Sequence, residues 1–287
     1  MANILAVGIA TIDIINTVDT YPLENTEVRA LSQRKTRGGN ATNTLVVLSQ
    51  LGHRCHWAGI LIEEADSAII QHELRHFNID SSACHIVSHG KMPTSYISIS
   101  QQTGSRSIVH YRDCPEFSFA DFKKIDLTQY DWIHFEGRNI EQLLLMLQYL
   151  QSNHPTIPYS LEVEKPRPGI EALFSYPTVL MFSQDYALSH QYTTAKDLLN
   201  SLDEGIIASC TWGSQGAWII NEKKQLFHSP AYVPEKVVDT LGAGDTFNAA
   251  LIDGLTNKVE LSQAVVNACK LAGYKCGQLG LASIMES

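Results

Sequence analysis

The segment VVDTLGAGDTFNAA, at residues 237–250, places an acid directly after a glycine-rich turn. Gly242 and Gly244 allow unusual backbone angles and the close approach of another group. The apolar residues that follow Asp245 recur at helical spacing, so the loop is expected at a helix N-terminus, where free N–H groups and the helix dipole favour an anion. One interpretation is an ordinary strand-to-helix connection in which Asp245 caps the helix.

A second interpretation gives the turn and the acid complementary roles in phosphoryl transfer. The loop formed by Gly242, Ala243 and Gly244 would hold the charge that develops on a transferring phosphoryl group, and Asp245 would take the proton from the attacking hydroxyl. The chain has neither the GxxxxGK[ST] of a Walker A loop nor the HRD and DFG motifs of protein kinases. We therefore expect a phosphate cradle of another kind.

A second motif, RGGNATN at residues 37–43, lies in the N-terminal part of the chain. Together, and in this order, the two motifs resemble the signatures of the ribokinase/PfkB carbohydrate kinase family. The similarity runs from AVGIATIDII to the last helix. Within that family, four segments are most similar to the kinases that act on ketohexoses: DLTQYDWIH (126–134), WIHFEGRN (132–139), LEVEKPR (161–167) and YKCGQLG (274–280).

The resemblance implies both a fold and an activity. The fold would be an α/β, ribokinase-like three-layer sandwich, with a mostly parallel central sheet and a small β-sheet lid. The activity would be ATP-dependent phosphorylation of a ketohexose, at the C1 hydroxyl of fructose. Two alternatives stay open: a kinase for another hydroxyl or sugar (fructose at C6, ribose or a nucleoside), and a non-catalytic sugar or nucleotide sensor on the same fold.

Four residues match the family's sugar-binding positions. Asp13 would accept hydrogen bonds from sugar hydroxyls, and Gly39, Asn40 and Asn43 match a Gly-Asn-x-x-Asn pattern. Amide side chains suit this work because they both donate and accept, as hydroxyls do. Asp13 could instead be an ordinary turn residue, and Asn40 could cap a helix.

A further set of residues matches the family's nucleotide contacts. Arg106 would reach the phosphates, and the loop of Gly213, Ser214, Gln215 and Gly216 would lie along the nucleotide, with the Gly242–Gly244 turn at the transferred group. The alternatives are an exposed arginine and an ordinary turn.

The resemblance also implies ATP with Mg²⁺ and leaves activation by a monovalent cation such as K⁺ open. Many family members carry an Asn-x-x-Glu motif associated with Mg²⁺, but the corresponding stretch here is LMFSQDYA (180–187), in which only Asp185 could replace the acid. Asp239 could orient its loop or hold a cation. The protein ligands of the metal are therefore not assigned, and few are expected because Mg²⁺ keeps water ligands.

The stretch His72–Glu73–Leu74–Arg75–His76 fits the H-E-x-x-H pattern of zinc proteases. The residues after it lack the longer metzincin pattern, and the segment is predicted to be a surface helix. We interpret it as a solvated helix face.

The elements that must position these residues alternate between strand and helix over most of the chain. Such alternation predicts a largely parallel sheet covered on both faces. Two polar, alternating sections, about residues 12–38 and 90–112, are exceptions that are predicted to pair into a small separate sheet. We expect a single domain over residues 1–287, with these sections as its lid.

Composition limits the classes of partner. A net charge of −9 argues against a nucleic-acid partner, and no apolar run is long enough to suggest a membrane helix. Six cysteines without a CxxC pair indicate reduced thiols and a cytoplasmic location. In this family such lids often pair, so we expect a homodimer formed through the lid.

Overall fold

The central sheet is built mainly from short apolar strands that are buried on both faces, as in Val179–Phe182, where all four residues are apolar and buried. The computed structural model describes residues 1–284. Its strands are β1 (Asn3–Val7), β2 (Thr11–Val18), β3 (Ser32–Gly38), β4 (Arg54–Ala58), β5 (Ile60–Ile62), β6 (Ile79–Asp80), β7 (His85–Val87), β8 (Lys91–Ser100), β9 (Arg106–Asp113), β10 (Trp132–Glu136), β11 (Tyr159–Val163), β12 (Val179–Phe182), β13 (Ala208–Thr211), β14 (Ala217–Ile220) and β15 (Leu226–Ser229).

Helices connect most of these strands. They are α1 (Asn40–Gln50), α2 (Ala65–His76), α3 (Phe119–Phe122), α4 (Ile140–Asn153), α5 (Gln184–Ser189), α6 (Ala195–Ser201), α7 (Ala243–Thr256) and α8 (Leu261–Cys276), with 3₁₀ turns at Leu127–Gln129, Ile170–Leu173 and Gly213–Gln215. Helix α1 packs on α7, and α7 packs on α8. These contacts place the helices that follow the two sequence motifs side by side.

The nine strands of the central sheet follow the order β15-β14-β13-β12-β11-β10-β1-β4-β6. All neighbours from β13 to β6 pair in parallel, and β14 and β15 add an antiparallel edge. The predicted α/β architecture with a mostly parallel sheet is confirmed. Parallel strands end at one edge of a sheet, which brings their C-terminal residues together.

The two polar sections form a separate four-stranded sheet in the order β3-β2-β8-β9, as predicted. Strands β2 and β3 are antiparallel, as are β8 and β9, and the two hairpins join through parallel pairing of β2 with β8. We call this four-stranded sheet the second sheet. A small third sheet contains only β5 and β7.

Two segments depart from a simple alternation of strand and helix. The apolar stretch at residues 55–61 is divided between β4 and β5, which belong to different sheets. The connection between β11 and β12 contains the 3₁₀ turn Ile170–Leu173 and no α-helix. Pro166 and Pro168 precede that turn, and proline both lacks an N–H donor and disfavours helical geometry in the residue before it.

None of the helices described over residues 1–284 is long and apolar enough to cross a membrane.

The core position of Leu180, in the middle of the central sheet, predicts a measurable stability effect. Its side chain is fully buried, so Leu180→Ala should lower the free energy of unfolding by about 2–5 kcal/mol through lost burial and a cavity. Leu188→Ala is the matched control, because Leu188 is 51% exposed, and it should change the value by less than about 0.5 kcal/mol. Urea denaturation of both variants measures this, and equal effects would contradict the packing described here.

Candidate active site

A cavity of about 790 Å³ lies between the C-terminal ends of the central parallel strands and one face of the second sheet. Most of the site residues predicted from the sequence line this cavity. They are Asp13, Gly39, Asn40, Asn43, Arg106, Gly213, Gly242, Ala243, Gly244 and Asp245. The fold therefore brings both sequence motifs, which are far apart in the chain, to one space.

A polar row crosses the second sheet on its cavity side. The strand registers place Thr36, Asp13, Ser95 and His110 next to one another on β3, β2, β8 and β9. Asp13 accepts a hydrogen bond from the Thr11 hydroxyl at 2.8 Å, and burial raises the pKa of its carboxyl group. The row presents donors and acceptors to the cavity, as recognition of a polyhydroxylated ligand requires.

The close approach of Asp13 explains why the first glycine of the RGGNATN motif, Gly38, has no side chain. A Cβ atom at Gly38 would lie 2.1 Å from a carboxylate oxygen of Asp13. Only glycine lets β3 pass this close to the carboxylate.

The glycine-rich turn forms the start of α7. Gly242 is the N-cap residue with φ +78°, a left-handed conformation that glycine adopts without strain. Within residues 1–284 the N–H groups of Gly244 and Asp245 make no hydrogen bond, and a Cβ at Gly244 would meet no atom within 4 Å. Open space beside free N–H groups at a helix N-terminus suits an anion.

Asp245 is the third residue of α7, and no side-chain hydrogen bond caps this helix. Its buried carboxylate turns to α1 instead, where the Asn43 amide donates to Asp245 Oδ2 at 2.7 Å. Asn40 likewise makes no cap hydrogen bond, since its amide donates to Glu164 Oε2 at 3.1 Å. Both side chains thus join separate elements at the cavity, and the capping interpretations do not describe them.

Carboxylates at the ends of β10 and β11 were missed by the sequence interpretation. Glu136 and Glu162 are buried, and they line the cavity with Glu164. Their only sequence signal is an acid at the C-terminal end of an apolar strand, in WIHFE and YSLEV. Burial, together with the negative charges of Glu164 and Glu136, raises the pKa of Asp245 to about 7, against the lowering effect of the hydrogen bond from Asn43.

Asp239 connects the loop before α7 to three other parts of the chain. Its carboxylate accepts from the backbone N–H groups of Leu241 and Gly280, at 2.9 and 3.0 Å, and from Arg34 of β3 at 3.0 Å. The fully buried Lys275 donates to the Asp239 carbonyl oxygen at 2.7 Å, with Nζ 3.5 Å from the carboxylate. Since the cationic partners of this carboxylate are protein side chains, it fits the loop-orienting role and not the cation-binding role.

The predicted nucleotide contacts are only partly brought together. Arg106, at the start of β9, donates to the Thr240 hydroxyl at 3.0 Å and so lies beside the loop before α7. Gly213 lines the cavity, whereas Ser214, Gln215 and Gly216 lie outside the wall formed by the described residues.

Comparison with known proteins identifies the family of this chain. The pfkB family carbohydrate kinase model matches residues 1–287. The chain belongs to the pfkB family of carbohydrate kinases. A mouse (Mus musculus) protein named ketohexokinase is 40% identical over 293 residues, which cover 98% of each chain.

Solved ribokinase structures have the same fold as this carbohydrate kinase. The ribokinase of Giardia lamblia has a TM-score of 0.82 at 16% identity, covering 99% of this chain and 97% of its own. The ribokinase of Thermotoga maritima has a TM-score of 0.77 at 22% identity, covering 100% and 97%. At these identities the likeness shows the fold alone.

The HELRH stretch of this carbohydrate kinase lies on α2, and its acid is used inside the protein. Glu73 Oε1 accepts from the Thr36 hydroxyl and from the Arg37 backbone N–H, both at 3.0 Å. Over residues 1–284 no group of three or more His, Cys, Asp or Glu side chains is arranged to hold a metal ion. His72, Arg75 and His76 are exposed, as expected for a solvated helix face, whereas Glu73 links α2 to the second sheet.

The buried position of Lys275 predicts a large stability effect. Lys275→Met would leave Asp239 with one cationic partner fewer, and breaking a buried pair in this way costs about 3 kcal/mol. Lys270→Met on the same helix is the control, because Lys270 is exposed, and it should cost less than about 0.5 kcal/mol. Chemical denaturation compares the two, and a Lys275 variant as stable as the control would contradict the connecting role of this pair.

Proposed function

We propose that this chain is an ATP-dependent ketohexose kinase that converts fructose to fructose 1-phosphate. The main support for the proposal is the position of Asp245, whose buried carboxylate lies directly beside free N–H groups at a helix N-terminus. A base and an anion site are adjacent where an attacking hydroxyl and a transferred phosphoryl group must meet. The choice of a ketohexose is supported by the 40% identity to the mouse protein named ketohexokinase.

The sugar would lie between the second sheet and α1. Asp13 would accept hydrogen bonds from sugar hydroxyls, and Gly39 lines the same wall. The amide nitrogen of Asn40 donates to Glu164, which leaves the Asn40 carbonyl oxygen to accept from a hydroxyl. Asn43, which donates to Asp245, would bring the sugar and the base together.

The nucleotide would extend from α7 to Gly213, with Arg106 beside its phosphates. The sugar oxygen attacks the γ-phosphorus of ATP, the bond from that phosphorus to the β,γ-bridging oxygen breaks, and ADP leaves with the bond's electron pair. Asp245 takes the hydroxyl proton, while the free N–H groups of Gly244 and Asp245, at the turn formed by Gly242, Ala243 and Gly244, stabilise charge on the transferred group. Catalysis is then mainly positioning and charge stabilisation.

The residues present fit a magnesium ion that arrives with ATP. Glu162 Oε2 is buried without a hydrogen-bond partner among the described residues, and Asp185 is an exposed acid on the cavity wall. Hard carboxylate oxygens suit Mg²⁺ and its water ligands, so these two residues would hold it. When bound, Mg²⁺ neutralises charge on the phosphates.

We further propose that the second sheet acts as a lid and as a dimer contact. Its cavity face carries the polar row, so closure would exclude water from the phosphoryl group. Its other face carries Tyr96, Val109 and Tyr111, which are 45%, 68% and 49% exposed. An apolar face of this kind on a sheet with free edges suits contact with a second copy.

The reaction is tested by ADP release over a panel of fructose, ribose and nucleosides, with phosphorus NMR of the product. We expect turnover with fructose and a phosphate on C1, and a loss of at least about 10³-fold in kcat for Asp245→Asn, which keeps the size of the side chain but removes the base. Phosphate on C6, or faster turnover of ribose or a nucleoside, would identify another sugar kinase. Binding without turnover for every compound would identify a sensor, and near wild-type turnover by the Asn variant would exclude Asp245 as the base.

The pH dependence of the reaction follows from the raised pKa of Asp245. A base works in its unprotonated form, so kcat/KM for the sugar should fall as pH decreases through about 7, the pKa that burial and the neighbouring glutamates give Asp245. A normal aspartate would lose activity only near pH 4. Initial rates between pH 5 and 9 measure this, and a rate independent of pH down to 5 would contradict the buried-base assignment.

A further inference from the structure

We propose that Arg37 is a positioning residue: its guanidinium fixes the orientation of the Asn43 amide, and through that amide it holds Asp245 in the geometry of the base. The inference rests on the proposed function, because it concerns the same site. Arg37 is only 5% exposed, and no step of the proposed reaction uses it.

The Asn43 side chain lies between a cation and an anion. Arg37 Nη1 donates to Asn43 Oδ1 at 2.8 Å, and Asn43 Nδ2 donates to Asp245 Oδ2 at 2.7 Å. A guanidinium has donors and no acceptor, so the amide oxygen must face Arg37. The amide nitrogen is then directed to Asp245, and a rotated amide would lose both hydrogen bonds.

Arg37 is itself held from two sides. Its Nη1 also donates to the Thr42 hydroxyl at 2.7 Å, and that hydroxyl donates to the carbonyl oxygen of Gly38 at 2.9 Å. On the other side, Glu73 of α2 accepts from the Arg37 backbone N–H, and its second oxygen lies 3.7 Å from Arg37 Nε. A continuous chain of contacts therefore runs from Glu73 through Arg37 and Asn43 to Asp245.

The charge of Arg37 opposes the acids around Asp245. The ionisable groups that influence Asp245 are Arg37 from β3, Glu136 from β10, and Glu162 and Glu164 at the end of β11. Arg37 is the only cation in this set. Its loss would leave the base with acidic neighbours alone and with an amide free to rotate.

The test compares Arg37→Met with a matched control on the same strand. Lys35 also forms an ion pair with α2, at 2.6 Å to Asp66, but it has no contact with Asn43. Lys35→Met therefore removes a similar link and leaves intact the chain of contacts from Glu73 through Arg37 and Asn43 to Asp245, which we call the relay. The first readout is kcat and KM for fructose. We expect Arg37→Met to lower kcat about 10- to 100-fold with KM within about threefold, and Lys35→Met to leave both unchanged.

The second readout needs no sugar and no turnover. The carboxylic C=O infrared band that disappears in Asp245→Asn reports protonation of Asp245 in the ligand-free protein. In Arg37→Met the midpoint of the titration of this band, the pH at which half of Asp245 is protonated, should move to higher pH by about one unit. Arg37→Lys, which keeps the charge, should hold the midpoint near the wild-type value and recover part of kcat.

The outcomes separate the two proposals. A midpoint shift in a protein that phosphorylates no sugar would support the relay and overturn the proposed function. A midpoint and kcat that match those of Lys35→Met would overturn the relay, and so would a raised KM with unchanged kcat, which would indicate direct contact of Arg37 with the sugar. If Arg37→Met does not fold, Arg37→Lys and Glu73→Gln serve instead: a lower kcat in both supports the relay, and wild-type kcat in both overturns it.

Discussion

The hydrogen bond between Asn43 and Asp245 is the contact on which the rest of the site depends. It joins α1, which directly follows strand β3 of the second sheet, to α7, which begins at the glycine-rich turn. The two helices also pack on each other, so the bond fixes the end of the cavity where the proposed base and the proposed anion site meet. Asp245 is itself buried and lies near Glu136 and Glu164, and a carboxylate in such surroundings is held at a pKa suited to a base near neutral pH.

The central sheet explains why the acids are there. Strand β10 ends in Glu136, the parallel strand β11 carries Glu162 next to its last residue, and their pairing places the two glutamates opposite each other. Because parallel strands have their C-terminal ends at the same edge of a sheet, the carboxylates near those ends come together there. The second sheet closes over this edge, and Arg34 and Arg106 connect it to the loop before α7. Hydrogen bonds therefore join the polar row's sheet to the loop that leads into the proposed reaction centre.

The sequence predicted the architecture and the two ends of the site because both leave local signals. Buried parallel strands read as apolar runs, and glycines mark the turns that approach Asp13 and begin α7. Three features left no such signal. The split between β4 and β5 depends on which sheet each strand joins, and the roles of Arg37 and Glu73 depend on contacts between distant elements. In sequence, Glu73 is indistinguishable from the acid of a solvated helix face.

The proposed mechanism requires Asp245 and the N-terminus of α7 to act on the same pair of reacting groups. The decisive measurement is a crystal structure with fructose and a non-hydrolysable ATP analogue. In that structure we expect the C1 hydroxyl oxygen of fructose within hydrogen-bonding distance of the Asp245 carboxylate, about 2.6–3.2 Å, and the γ-phosphate at the N–H groups of Gly244 and Asp245. A sugar bound with no hydroxyl near Asp245, or a γ-phosphate away from this helix, would contradict it.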